Sequence, residues 1–160
     1  MTSGADLPSA FAAIVDDFQA LTEPDRLQLL LEFAESLPEL PERYADHPDL
    51  LEPVPECQSP VFLTVEVGEQ GSADGGASPG PDSPVRVLLT APRESPTTRG
   101  FAAILSDGLA GLTAAEVLAV PDDVSHRLGL DRAVSPLRLR GMAGMLGRIK
   151  RQVREQTRAA

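Results

Sequence analysis

Six prolines between residues 38 and 60 constrain this 160-residue chain more than any other feature. Pro38, Pro41, Pro48, Pro53, Pro55 and Pro60 each lack an amide proton and fix φ, which rules out a regular helix and most ladder pairing. The stretch reads as a long, irregular connection, and the chain's one cysteine, Cys57, lies near its end. Long ordered loops in compact domains are often functional.

Upstream of the prolines the periodicity is helical. A helix is expected from near Ser9, a suitable N-cap, with Phe11, Ile14, Val15, Phe18 and Leu21 on one face. A second is expected from Thr22, with Pro24 in its first turn, where a missing amide proton costs little. Its stripe is Leu27, Leu30, Leu31, Ala34 and Leu37, widened by Phe33. Downstream, Val61–Val67 places Val or Leu at every odd position, as in a strand with one buried face. Residues 68–84, rich in Gly, Ser, Ala, Asp and Pro, read as a flexible hairpin connection to a second, antiparallel strand, Val85–Ala91. The remainder is helical: residues 97–110, a capping box at Thr113–Glu116, a short helix opened by Pro121-Asp122-Asp123, and a long helix from Ser135-Pro136. In that last helix Leu139, Met142, Met145, Leu146, Ile149 and Val153 form a buried stripe, while Gly141, Gly144 and Gly147 suggest close packing. The order predicts one α+β domain over residues 1–160, a sandwich with helices on one face of a small antiparallel sheet.

Charge narrows the function. The net charge is −10, yet after residue 134 there are seven basic side chains and a single acid, Glu155, leaving seven basic against 23 acidic before it. An acidic body ending in a basic helix is expected to fold its charges back on itself. The acidic body would repel phosphates, which disfavours nucleic acid and anionic membrane as partners. No stretch approaches the roughly 18 apolar residues of a membrane span. One cysteine allows no internal disulfide, and no secretory leader pattern is visible, so a bacterial-type cytoplasm is the expected compartment.

The chemistry rests on Cys57. It sits in Pro55-Glu56-Cys57-Gln58-Ser59-Pro60, a polar loop just before a strand, rather than in an apolar stripe. His47 and His126 stand in no nucleophile–base motif and the chain has no Asn, so a cysteine hydrolase is disfavoured. One Cys and two distant His cannot supply a structural zinc site, and no phosphate-binding glycine motif is present. Read from residues alone, the thiol either accepts and relays a group, or is an inert packing residue.

At Glu56-Cys57-Gln58-Ser59-Pro60-Val61-Phe62-Leu63 the chain resembles the SufE family of iron–sulfur cluster assembly. The Leu37-Pro38-Glu39-Leu40-Pro41 segment precedes it at family spacing. Further matching blocks are Arg99–Leu105, Leu112–Leu118, and Leu128-Gly129-Leu130 running into Ser135–Met142. The resemblance covers roughly residues 9–153 without the 68–84 insert. It implies a SufE/NifU-like fold, of order α-α-β-β(-β)-α-α-α. It implies docking on a pyridoxal-phosphate cysteine desulfurase (SufS-like), with Cys57 as persulfide acceptor delivering sulfur to a SufBCD-like cluster scaffold. It implies a sulfur-carrier subunit rather than an independent enzyme, with no cofactor of its own. By the same resemblance Arg138 steadies the acceptor loop or meets the desulfurase, and Gln58 and Ser59 shape the loop by hydrogen bonding to its backbone.

Two positions depart from the family pattern. Glu56 stands where many members carry Gly, which puts the loop conformation in question and adds a carboxylate able to raise the thiol pKa. Ala91–Pro96 replaces a Gly-x-Ser-Asp-Ala run at the strand-to-helix junction. The alternative function is a regulatory binding module whose cysteine is structural.

Overall fold

A computed structural model describes residues 7–68 and 79–157. Most of the expected flexible connection, residues 69–78, lies outside the described residues.

The apolar periodicity decides the first two helices. In α1, Ser9–Gln19, the face of Phe11, Ile14, Val15 and Phe18 is buried. The cap is one residue earlier than Ser9: Pro8 holds extended backbone and its carbonyl accepts the first helical bond, from the amide of Ala12 at 2.8 Å. Helix α2, Glu23–Glu35, starts after Thr22 with Pro24 in its first turn. Leu30, Ala34 and Leu37 are buried, while Leu27, Leu31 and Phe33 are half-buried. Phe33 stacks on Phe18, ring centroids 6.1 Å apart.

The proline-rich stretch is more structured than its composition suggests. It contains a four-residue helix, α3 (Glu42–Ala45), two 3-10 turns (Pro48–Leu50 and Pro55–Cys57), and a two-residue strand, β1 (Glu52–Pro53). The third strand therefore precedes the two long ones instead of following them. Proline tolerates this position because β1 is an edge. Its residues Glu52 and Pro53 pair with Leu63 and Phe62 of β2 (Phe62–Val67), which pairs in turn with β3 (Val85–Thr90). The sheet is antiparallel throughout, in the order β1-β2-β3.

Val61, Leu63, Val65, Val85 and Leu89 bury the inner sheet face in one hydrophobic cluster with α1, α4 (Pro96–Gly108) and α7 (Pro136–Thr157). On the outer face Glu66 receives Arg43 at 2.6 Å and the Tyr44 hydroxyl at 2.7 Å. Between α4 and α7 lie two short helices. The first, α5 (Ala114–Leu118), opens with a complete capping box on Thr113 and Glu116. The second, α6 (Val124–Arg127), precedes Gly129, whose φ is +70°.

Helix α7 does two jobs. Its predicted stripe, Leu139, Met142, Met145, Leu146, Ile149 and Val153, is buried throughout. Its amides also finish the sheet edge that the short β1 leaves open. The Val65 amide donates to Gln152 Oε1 (2.9 Å) and the Val67 amide to Gln156 Oε1 (3.2 Å), while Gln156 Nε2 donates to the Val65 carbonyl (2.7 Å). Covering an open edge satisfies groups that would otherwise lack partners. Two glutamines one turn apart on a helix carried no signal for this.

Candidate functional site

Backbone hydrogen bonds fold the Cys57 loop into a tight turn. Val54, itself buried, donates its amide to the Val61 carbonyl and accepts from the Cys57 amide at 3.1 Å. The Gln58 amide donates to the Pro55 carbonyl at 3.1 Å, and Gln58 then reverses the chain in the left-handed region at φ 57°. Among the described residues Gln58 is the one non-glycine with positive φ, and Glu56 keeps ordinary backbone angles. The family's glycine at that position is therefore not required for the turn; the strained residue comes two later.

This turn lays Cys57 on α7. The thiol is half-buried and donates a weak hydrogen bond to the Gly141 carbonyl, Sγ to O 3.5 Å. The contact depends on glycine: a Cβ at residue 141 would stand 3.1 Å from Sγ. One turn on, a Cβ at Gly144 would stand 3.1 Å from the Glu56 side chain. The close packing expected of the three glycines thus holds for two. At Gly147 a Cβ would meet nothing within 4 Å, because that position faces away from the loop.

Charge fixes the loop as well. Arg148 donates to Glu56 at 2.9 Å and to the Pro53 carbonyl at 3.2 Å, and lies 3.3 Å from Glu52. Arg151 and Gln152 also hold Glu52. Farther along, Lys150 is buried and pairs with Asp122 at 2.8 Å and with the Val120 carbonyl. The basic helix folds its charges onto the acidic body, as its sequence suggests. Burial, and then the neighbouring Glu56 carboxylate, push the Cys57 thiol up to about 11, with Arg148 opposing them.

Cys57, Gln58, Ser59, Ser135, Leu137 and Arg138 line one shallow cleft of about 270 Å³. All four residues singled out from the sequence are therefore brought together. Arg138 is exposed in the first turn of α7, where its amide bonds Ser135 Oγ at 3.3 Å. Ser59 acts differently from the expectation: its hydroxyl pairs with Ser95 Oγ at 2.9 Å, tying the loop to the start of α4 rather than to its own backbone. His47 and His126 are exposed and do not line the cleft. No group of three or more His, Cys, Asp or Glu among the described residues could hold a metal ion. A separate groove of about 230 Å³ runs between residues 37–41 and β3 and does not include Cys57. Sequence reasoning missed Arg148, although its spacing after Gly141 and Gly144 (seven and four residues) marks one helix face.

Fold and site define a class: an α+β protein presenting one thiol on a short loop, with no histidine in its cleft. Residues 12–153 match the SufE family, described as an Fe–S metabolism associated domain. The chain belongs to that family, which ties it to iron–sulfur metabolism. It is 49% identical over 155 residues to an uncharacterised SufE-like protein of Mycobacterium tuberculosis, covering 97% of this chain and 99% of that one. The SufE-like protein 1 (chloroplastic/mitochondrial) of Arabidopsis thaliana is 28% identical over 142 residues, covering 88% of this chain and 34% of the longer relative. The solution structure of a hypothetical protein from Thermus thermophilus superposes with a TM-score of 0.72 at 34% identity, covering 94% of this chain and 97% of that one. No helix among the described residues is long and apolar enough to cross a membrane.

Proposed function

We propose that the protein is the sulfur acceptor and activator of a pyridoxal-phosphate-dependent, SufS-like cysteine desulfurase, working as a single SufE-like domain in the cytoplasm. Cys57 receives the sulfur and passes it to an iron–sulfur cluster scaffold of the SufBCD type. The observation that carries this reading is the placement of the family's cysteine on a short loop at the lip of a cleft, held to α7 by a weak sulfur contact and a partly exposed ion pair.

The transfer is a thiol exchange. Cys57 gives up its proton, and its thiolate attacks the outer sulfur of the desulfurase's cysteine persulfide. A sulfur–sulfur bond forms on Cys57 as the old one breaks, and the desulfurase cysteine leaves as a thiolate, which takes up a proton. No electrons are gained or lost overall. The cleft beside Cys57 supports the reading, since an added sulfur atom would be sheltered there by Ser59, Leu137 and Arg138. Arg138, exposed at the rim of the same cleft, is assigned to meeting the desulfurase or steadying the acceptor loop.

The elevated thiol favours a second reading, a binding module with an inert cysteine. Desulfurase turnover, followed as alanine release, decides between them. Under the sulfur-acceptor reading the wild-type protein stimulates turnover and gains one sulfur atom by intact mass, and Cys57→Ser does neither. Equal stimulation by Cys57→Ser would make the cysteine structural.

A further inference from the structure

Arg148 joins three points of one loop. Its guanidinium reaches the Glu56 carboxylate at 2.9 Å, the Pro53 carbonyl at 3.2 Å and the Glu52 carboxylate at 3.3 Å. These span the segment from β1 to the residue before Cys57, and the Gly144 gap on the same helix seats the Glu56 side chain. By contrast, the one hydrogen bond Cys57 itself makes to α7 is the weak sulfur contact with Gly141, beside its packing on the hydrophobic cluster. A planar guanidinium suits such a junction because its donors point in fixed directions toward several oxygens at once. Arg148 is about one quarter exposed and Glu56 about two fifths, so water and salt reach the pair.

We propose that Arg148 is a positioning residue that clamps the Cys57 loop onto α7 and so sets how often the thiol is presented to a partner. The inference rests on Cys57 being the acceptor, but its test does not need a desulfurase. Two roles for Arg148 predict opposite signs. If its positive charge merely favours the thiolate in a loop that stays closed, Arg148→Ala makes the thiol less acidic and slows its alkylation. If Arg148 holds the loop shut, the same change exposes the thiol and speeds alkylation.

The experiment is the rate of iodoacetamide modification of Cys57 in the full chain at pH 8, read by intact mass, with thermal melts confirming that each variant folds. A partly exposed clamp of the strength of a surface ion pair predicts acceleration of about 5-fold for Arg148→Ala. Added salt speeds the wild type more than the variant, because only the wild type has a clamp to weaken, while screening of Glu56 acts on both. A slower or unchanged rate in a folded Arg148→Ala overturns the clamp. Should that variant fail to fold, Arg148→Lys replaces it. A lysine keeps the charge without the three-point fork, so acceleration supports the clamp and an unchanged rate overturns it. Failure of the acceptor reading is seen separately, as desulfurase stimulation that survives Cys57→Ser.

Discussion

Resting Cys57 should be a poor nucleophile, and the size of the effect follows from its surroundings. Burial is the larger cause and Glu56 the second, together holding the thiol at about 11 against the pull of Arg148. A free cysteine titrates near 8.5, so at pH 8 about a quarter of it is thiolate, against about 0.1% for a thiol at 11. A more basic thiolate is intrinsically more reactive, by roughly 13-fold for a rise of this size. The net expectation is alkylation about 20-fold slower in the native protein than in the same chain unfolded in urea. Iodoacetamide rates measured from pH 7 upward should still be climbing at pH 10 in the native state. A midpoint near 9 or below would refute the argument, showing that neither burial nor Glu56 restrains the thiol. The same shift has a stability counterpart. The folded chain keeps the thiol proton between about 8.5 and 11 while the unfolded chain gives it up, so folding weakens as pH rises through that window. Relative to Cys57→Ser, the wild type should lose stability between pH 7.5 and pH 10 in denaturant melts.

Gly141→Ala should force the thiol or its loop aside, because the new Cβ would lie 3.1 Å from Sγ and 3.3 Å from the Cys57 Cα. Faster alkylation is the expected readout, whereas Gly147→Ala, which meets nothing, should leave the rate unchanged and stabilise α7 by roughly 1 kcal/mol. Gln152→Ala removes the acceptor of the Val65 amide and a donor to Glu52; a loss of about 1–3 kcal/mol is expected from urea melts. Thr113→Ala breaks the capping box of α5 and should cost about 1 kcal/mol by the same measurement, without altering Cys57 reactivity.

Periodicity made the helices and the two long strands legible. The face of α1, the odd positions of β2 and the α7 stripe were all set by spacing alone, since each must bury a contiguous apolar surface. The proline-rich stretch resisted the same treatment. Its elements are two to four residues long, below the length at which a period exists, and β1 is fixed by pairing with β2, not by its own residues. Within the site, Cys57 stood out because it is unique and sits in polar loop sequence. Gly141 and Gly144 were visible as unfavourable helix residues, but which neighbour they admit depends on how the loop folds back across α7. Arg148 was hidden among seven basic residues near the C-terminus, and only its three loop contacts separate it from the others.

Those contacts divide the basic helix into two parts with different work. Arg148, Lys150 and Arg151 turn inward, onto Glu52, Glu56 and Asp122. Arg138 and Arg140 stay exposed near the other end, and Arg138 shares the cleft with Cys57 and the exposed Leu137. On the proposed reading, a partner approaching the thiol would meet Arg138 and Leu137 first, with Arg148 acting from behind the loop. The two arginines should separate experimentally. Arg138→Ala removes a charge that touches nothing in the loop's anchoring, so iodoacetamide modification should proceed at the wild-type rate while the concentration of protein needed to stimulate a desulfurase rises. Arg148→Ala should alter the modification rate with the sign already derived. If Arg138→Ala instead changes intrinsic thiol reactivity as much as Arg148→Ala does, the cleft and the clamp are one device, and the division of α7 is wrong.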